Sequence, residues 1–178
     1  MKATRVLNFV TQKQLTSKQR LQVAQILNNL ERVPRQIDKN TSQIEDSRKI
    51  YLRKNGELCY YPRLYSLLKI HTISQDTTAH IKCLTEELGI DFSYLFFRET
   101  KTNESPLNIL PHRDLFQSLS IVTGDCTVHN ITIENKEFLI RPFQVTIFDP
   151  RKTHSLFYPA NSSKVALMFL KLPPIAPF

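Results

Sequence analysis

Two stretches of the N-terminal half place apolar residues three and four positions apart, the spacing of one helix face. The first predicts an amphipathic helix over residues 17–31, which a Thr-Ser pair can cap and which ends before Pro34. The second predicts a helix that Asp76 caps and Gly89 ends, with His80 beside its stripe as a partly exposed residue. The apolar stripes are Val23, Ile26, Leu27, Leu30 and Ile81, Leu84, Leu88.

Three other segments of this half carry weaker patterns. Residues 4–10 predict a short strand, and residues 33–55 are polar and charged, which predicts a surface loop or a mobile lid. Residues 57–70 are aromatic and apolar, so their tyrosines either line a pocket or pack in the core, and we favour the core. These tyrosines are Tyr60, Tyr61 and Tyr65.

From residue 92 the apolar pattern changes to the two-residue period of strands. About eight short segments separated by polar turns predict a β-sandwich or barrel, and two of them form a hairpin across residues 134–136. The proline-rich tail after Leu172 cannot extend a central strand. The strand segments are residues 92–98, 107–110, 118–123, 126–133, 137–140, 144–148, 154–158 and 164–172.

The length of 178 residues predicts a single domain. We expect a barrel core over residues 92–172, with a basic helical and loop portion over residues 1–91 packed on it. The net charge of +8 is uneven, because residues 1–69 hold fourteen Lys and Arg against five Asp and Glu, whereas residues 70–178 hold ten against eleven. The basic third predicts either an acidic partner or a solvated surface without one.

Composition narrows the class of protein. The three cysteines (Cys59, Cys83, Cys126) are too few and too scattered for a disulfide framework or a zinc site, which favours reduced thiols and a cytoplasmic protein. No apolar run approaches the ~18–20 residues of a membrane span, and the N-terminus lacks the pattern of a secretory signal. The sequence does not indicate an oligomeric state.

The candidate chemistry lies in Pro-His112-Arg113-Asp114. In an extended segment His112 and Asp114 share a face, and His154 on a neighbouring strand would complete a set of two imidazoles and one carboxylate. Such a set suits Fe(II) and leaves coordination positions open. Arg113 should point to the opposite face. Lys164, a lone cation ahead of an apolar run, predicts a negatively charged partner facing the metal.

A competing imidazole is His129, since Cys126-x-x-His129 resembles half of a zinc site. Alternation along a strand over residues 126–133 places the two side chains on opposite faces, which argues against a shared metal.

The motif His112-x-Asp114, with His154 forty residues on and Lys164 ten residues later, resembles the 2-oxoglutarate/Fe(II)-dependent dioxygenases. Within them, residues 147–164 (IFDPRKTHSLFYPANSSK) look most like the aspartyl/asparaginyl hydroxylase and small proline hydroxylase branch. The likeness covers residues 92–172. It implies a double-stranded β-helix, the jelly-roll or cupin-like fold, covered on one side by the two helices.

The resemblance also implies roles for individual residues. Fe(II) would be held by His112, Asp114 and His154, with 2-oxoglutarate and O2 as co-substrates. Lys164 would bind the distal carboxylate of 2-oxoglutarate, with Gln117 or Ser120 near its other end, and Arg98 is a candidate for a substrate carboxylate.

We therefore expect an enzyme that hydroxylates an amino acid, a peptidyl side chain or another small substrate. Two alternatives stay open: a non-catalytic cupin that uses its barrel for binding, and an oxygenase that reaches a nucleic-acid-associated substrate through the basic N-terminal third.

Overall fold

The computed structural model describes residues 10–46, 48–53, 55–62 and 71–173. These residues form helices α1 (Ser17–Asn28) and α2 (Gln75–Leu88) together with fourteen strands. The strands are β1 (Thr11–Gln14), β2 (Arg32–Gln36), β3 (Thr41–Asp46), β4 (Arg48–Leu52), β5 (Leu58–Pro62), β6 (His71–Thr72), β7 (Tyr94–Thr102), β8 (Leu107–His112), β9 (Ser118–Cys126), β10 (His129–Ile133), β11 (Lys136–Ile140), β12 (Gln144–Phe148), β13 (His154–Tyr158) and β14 (Ser163–Lys171).

The strands form two antiparallel sheets. The larger has the order β1-β12-β9-β14-β7-β4-β5-β6, with β3 also paired to β7 and β2 paired to β3, and the smaller has the order β11-β10-β13-β8. Because the chain passes repeatedly between the sheets from β7 to β14, the two sheets face each other as a jelly roll. The predicted fold class, mainly β with flanking helices in a double-stranded β-helix, is therefore confirmed.

Both faces of the larger sheet are covered at its central strands. One face packs against α1 and α2, where Val23, Ile26, Ile81 and Leu84 meet side chains such as Leu167. The other face meets the smaller sheet through a second cluster. Each fully buried aliphatic or aromatic side chain contributes about 1.5–3 kcal/mol, so these clusters hold the layers together. The second cluster is Leu119, Ile121, Ile131, Ile133, Ile140, Phe148, Ala166, Met168 and Leu170.

The two helices lie close to their predicted positions. Thr16 caps α1 with a reciprocal bond to Gln19, and the helix ends at Asn28, before the predicted residue 31. For α2 the cap is Ser74 and not Asp76, because Ser74 is extended and accepts from the Thr77 amide, while Asp76 lies in the first turn. Gly89 ends the helix in the left-handed conformation, as predicted.

The prediction of a loop or lid over residues 33–55 is wrong. This segment forms β2, β3 and β4, and β3 pairs with β7 from Thr41 opposite Thr102 to Glu45 opposite Arg98. All five residues of β2 are exposed, so this strand rests on main-chain pairing and needs no apolar alternation. Of the predicted strand over residues 4–10, only residue 10 lies within the described residues.

The hairpin, the strand that leads into it and His80 were also predicted from the sequence. The hairpin β10–β11 turns at Glu134 and Asn135, both with positive φ, as expected for a tight turn. The predicted strand over residues 126–133 is correct from His129 to Ile133, which form β10, and wrong before His129, since Cys126 ends β9. His80 is half-buried with Nδ1 2.6 Å from Gln22 Oε1, in agreement with the prediction.

Of the predicted aromatic segment, residues 58–62 form β5, whereas Tyr65 and the side chains of Tyr60 and Tyr61 lie outside the described residues. Neither α1 nor α2 has the length and apolar character needed to cross a membrane, and no other helix occurs in the part of the chain that is described. The single-domain organisation stays a prediction.

Candidate metal centre

Three potential metal ligands converge where two strands of the smaller sheet meet. His112 ends β8 and lies opposite His154, which begins β13, with ring centroids 4.3 Å apart. Asp114 lies in the loop after β8, and its backbone amide donates to Pro150 O at 2.8 Å. Its Oδ2 lies 3.3 Å from Nε2 of His154 and 3.8 Å from Nε2 of His112. One ligand atom from each residue lies within 4.8 Å of the others.

In both imidazoles Nδ1 is hydrogen-bonded to a backbone carbonyl, which leaves Nε2 available for a metal. Nδ1 of His112 lies 2.8 Å from Leu110 O, and Nδ1 of His154 lies 2.8 Å from Lys152 O. A carbonyl oxygen can only accept, so each Nδ1 must carry the proton. The two Nε2 lone pairs then point toward Asp114, the arrangement in which a backbone carbonyl orients a metal-bound histidine.

The donor set therefore fits a divalent metal of the Fe(II) type. Two imidazole nitrogens and one carboxylate oxygen are supplied from one side, which leaves the opposite side of an ion for other ligands. His154 is buried and packs edge-on against Phe148, whereas the side chains of His112 and Asp114 are 39% and 34% exposed. Among the described residues this is the one cluster of at least three such ligands.

Arg113, between two of the ligands, is exposed and takes no part in the cluster. Its Nε donates to Thr153 Oγ1 at 2.9 Å. This bond joins the loop after β8 to the residue before His154, and so it ties together the two segments that carry the ligands.

The three ligands stand at one end of a cavity of about 310 Å³ between the sheets. Lys164 and Tyr158 line its other part. Because His154 and Tyr158 are four residues apart on β13, their Cα atoms are separated by roughly 13 Å along the strand. The remaining lining is mainly apolar: Tyr94, Phe96, Leu107, Ile109, Phe116, Leu119, Ile121, Ile131, Phe148, Leu156, Met168 and Leu170, with Gln43, Arg98 and Thr100 as polar residues.

The far part of the cavity contains a buried ammonium and a phenolic hydroxyl. Lys164 is only 5% exposed, and its Nζ donates to Tyr158 Oη at 3.0 Å. A protonated lysine cannot accept, so the Tyr158 hydroxyl keeps its own proton for another acceptor. In the part of the chain that the structure describes, no carboxylate forms an ion pair with Lys164. Together the two side chains can donate two hydrogen bonds to one negatively charged group.

His129 packs against the Tyr158 side of the Lys164–Tyr158 pair. Its ring stacks on Tyr158 with centroids 4.9 Å apart, and Nδ1 lies 3.1 Å from Thr127 O. Burial, together with the nearby Lys164 charge, lowers the pKa of His129 to about 4, although the Thr127 bond opposes this change. The ring is therefore neutral near pH 7 and adds no second charge beside Lys164. Its buried Nε2 has no hydrogen-bond partner among the described residues.

Sequence reasoning overlooked Tyr158, although a signal for it existed. Residues 154, 156 and 158 share one face of β13, and all three line the cavity. Counting along the strand from His154 would have placed the tyrosine hydroxyl on the same wall as the metal ligand.

Arg98 also lines the cavity, but a carboxylate of the protein already occupies its guanidinium. Nε and Nη2 donate to Glu45 Oε1 at 3.2 and 3.0 Å, and the guanidinium lies over the Phe96 ring, 5.4 Å from its centroid. Its role toward a substrate carboxylate stays a prediction.

Gln117 and Ser120 are not among the residues that line the cavity. Ser120 lies between Leu119 and Ile121, which do line it, so by alternation its side chain faces the helix side of the sheet. Gln117 precedes β9, and its amide donates to Lys171 O at 2.8 Å. Their assignment to the co-substrate stays a prediction, and their positions lend it no support.

Sequence comparisons identify no family. No protein-family model matches this chain, and no curated protein matches it. Solved structures match in fold. An oxidoreductase of the 2OG-Fe(II) oxygenase family from Burkholderia pseudomallei superposes with a TM-score of 0.52 at 6% identity, covering 90% of this chain and 82% of that one. A bsmA homolog from Methylobium petroleophilum PM1 gives 0.50 at 10% identity, covering 85% of this chain and 81% of that one. At such identities the likeness establishes a shared fold.

Proposed function

We propose that this protein is an Fe(II)- and 2-oxoglutarate-dependent oxygenase that hydroxylates an amino acid, a peptidyl side chain or another small substrate. The observation that carries the proposal is a single cavity with two functional parts. Two imidazoles and a carboxylate converge at one part, and a buried ammonium without a carboxylate partner among the described residues lines the other. A diacid chelated at the metal would place its second carboxylate near that ammonium.

In this proposal each residue has a separate task. His112, Asp114 and His154 hold the metal, while Lys164 and Tyr158 bind and orient the distal carboxylate of 2-oxoglutarate. The apolar walls, including Phe148, exclude water from the reacting groups. The bound iron and co-substrate would supply the oxygen chemistry, which no side chain of the protein needs to perform.

The resemblance of residues 147–164 to the aspartyl/asparaginyl and small proline hydroxylases supports the choice of hydroxylation as the outcome. A cytoplasmic location accompanies the proposal, because Fe(II) and free thiols both suit a reducing compartment.

The proposal can be tested with His154→Ala. Iron content per chain, measured by mass spectrometry after desalting, should fall from one to near zero, because the remaining two ligands are half-exposed. Succinate formation from 2-oxoglutarate, with Fe(II) and ascorbate present, should disappear as well. Circular dichroism should report an intact fold, since His154 lies at the beginning of a strand.

His80→Ala is the matched control, because His80 is a half-buried imidazole on α2, whereas the metal ligands belong to the smaller sheet and the loop after β8. It should keep both iron and turnover. If the wild-type protein binds iron and never forms succinate, it is a non-catalytic cupin. If His154→Ala retains stoichiometric iron, the ligand assignment is wrong.

A further inference from the structure

We infer that the substrate of this site is an extended polypeptide segment with acidic residues, which docks on the outer surface beside the metal ligands and inserts one side chain. This inference rests on the proposed function. The surface, here called the β8 rim, consists of Leu110, Arg113, Leu115 and Lys152.

The size of the cavity limits what can enter it. A volume of about 310 Å³ lies at the lower end of the ~300–1,000 Å³ of typical ligand pockets. Once 2-oxoglutarate occupies the part between the metal and Lys164, the remaining space accommodates little more than a side chain. The body of a larger substrate must therefore lie outside, where His112 and Asp114 are partly exposed.

Two exposed apolar side chains adjoin the candidate ligands along the chain. Leu115 is 87% exposed and Leu110 is 76% exposed, the highest values for large apolar side chains among the described residues. Leu115 lies one residue after Asp114, and Leu110 lies two residues before His112. Isolated exposed leucines need no explanation, but the two most exposed ones flanking a candidate metal centre indicate a contact surface.

The charge of the rim favours acidic residues in the partner. Arg113 and Lys152 are exposed and belong to the two segments that carry the ligands. The charge of Arg151 is already compensated by Asp149, because Nε and Nη2 of Arg151 donate to the Asp149 carboxylate. Glu134, whose amide donates to Thr153 O, is an exposed carboxylate close to this surface, so the rim keeps a small positive excess.

The strand beside the opening can receive another strand. β8 is an end strand of the smaller sheet and pairs only with β13 among the described strands. A free edge of this kind binds extended peptides through main-chain hydrogen bonds, with alternate side chains of the peptide pointing to one face. Pro111 has no N–H, so pairing would use the part of β8 before it. A peptide bound there continues directly to His112.

These features fit other substrates less well. A free amino acid would leave both leucines in water during the reaction. Single-stranded nucleic acid binds to exposed aromatic rings on which bases stack, and Phe116, the aromatic residue of the loop after β8, is half-buried and turned into the cavity.

Short acetylated and amidated peptides with a varied central residue provide the probe. One set carries Glu and Leu around the centre, and a second carries Lys and Leu. Fluorescence anisotropy measures their binding to the Fe(II) protein with 2-oxoglutarate under anaerobic conditions, and mass spectrometry detects the gain of one oxygen under air. The Glu/Leu set should bind more tightly, and N-methylation of its backbone should abolish binding.

The double variant Leu110→Ser/Lys152→Glu should weaken binding of the Glu/Leu peptides at least about tenfold. Its matched control is Leu139→Ser/Lys136→Glu on β11, the opposite edge of the same sheet, which should bind like the wild type.

Several results would overturn the inference. Equal binding of both peptide sets would contradict the acidic preference, and unaltered binding of N-methylated peptides would contradict strand addition. Succinate formation stimulated by free amino acids or by oligo-dT, but not by peptides, would refute a polypeptide substrate while supporting the oxygenase. Absence of succinate under every condition would instead refute the proposed function, and peptide binding would still report on the rim.

Discussion

Replacing Lys164 with Met is the sharpest test of the proposed binding of 2-oxoglutarate in the cavity. Methionine keeps an unbranched side chain of similar length and removes the charge. The ammonium is buried, and its hydrogen-bond partner is the neutral Tyr158 hydroxyl at 3.0 Å. Its charge is therefore compensated by a carboxylate only when an anionic ligand enters, as far as the described residues show.

The magnitude follows from this geometry. A hydrogen bond to a charged group contributes about 1.5–3 kcal/mol, and stranding a buried charged partner costs more. Since about 1.4 kcal/mol corresponds to a factor of ten, Lys164→Met should weaken 2-oxoglutarate binding at least tenfold. Lys164→Arg should fall between Met and Lys, because the larger planar head must fit beside Tyr158.

Iron binding should survive in both variants, because Lys164 lies on β14 and the ligands belong to β8, β13 and the loop after β8. In the absence of co-substrate, Lys164→Met should be no less stable than the wild type. Replacing a buried charge with an apolar side chain is often neutral or stabilising.

The assay is a titration of 2-oxoglutarate into the anaerobic Fe(II) protein, followed by the metal-to-ligand absorption band. Lys171→Met is the matched control on the same strand, where the lysine pairs with an exposed Asp91 at 3.1 Å. This control should bind 2-oxoglutarate like the wild type. If Met at position 164 binds 2-oxoglutarate as tightly as Lys, either another cation binds the carboxylate or the protein does not use this co-substrate.

Two further predictions concern protonation and charge. Because the pKa of His129 is lowered to about 4 from 6.5, the unfolded chain takes up its proton first, so the free energy of unfolding should fall as pH drops from 6.5 through 4, by roughly 3 kcal/mol at most. Urea unfolding of His129→Phe should show a flatter dependence in this window, and equal slopes would contradict the burial of a neutral ring. If the basic third recruits an acidic partner, binding should weaken between low and physiological salt, because exposed charges are screened over ~8–10 Å. Charge reversal at Arg48, Lys49, Arg53 and Lys54 should weaken it without changing 2-oxoglutarate affinity, and unchanged partner affinity would leave the charge as simple solvation.

The jelly-roll half of the fold was predictable because its strands face a core. In β14 both faces are buried, one against the helices and one against the smaller sheet, which gives the near-continuous apolar run from Val165 to Leu170. In β10 buried positions alternate with partly exposed ones, the usual sign of a half-buried strand.

The N-terminal strands gave no such sign. β2 is exposed at every position, and β3 joins the sheet through main-chain bonds to β7 while carrying polar residues such as Gln43 into the cavity wall. In β3 the one apolar residue, Ile44, packs against the core, so the main-chain pairing is accompanied by no periodic apolar pattern in the sequence. The polar composition of residues 33–55 therefore predicts a loop although the segment forms strands.

Alternation also explains which site residues could be found. It places Tyr158 beside His154 and separates Ser120 from Leu119, and both results follow once strand boundaries are known. For His112 and Asp114, alternation predicts two side chains on one face of a single strand. The side chains do meet, but for another reason. β8 ends at His112, so Asp114 reaches the centre from a loop and not from the same strand face.

The segment Asp149–His154 explains how that loop is held, and it gives the family-like motif a physical meaning. Burial acts to raise the pKa of Asp149, but hydrogen bonds from the Arg151 side chain and backbone outweigh it and keep the pKa low. The ionised carboxylate accepts from the Arg151 amide at 3.0 Å, and Lys152 N donates back to Asp149 O at 3.1 Å, which closes a tight turn.

Two residues of this turn then contact candidate ligands, and a third contacts the residue between His112 and Asp114. Pro150 O receives the Asp114 amide, Lys152 O receives Nδ1 of His154, and Thr153 Oγ1 receives the Arg113 side chain. A buried carboxylate that fixes one turn thereby orients two ligands from separate parts of the chain. The contacts of this motif are thus mainly those of a scaffold for the candidate centre, because His154 alone among its residues belongs to the ligand cluster.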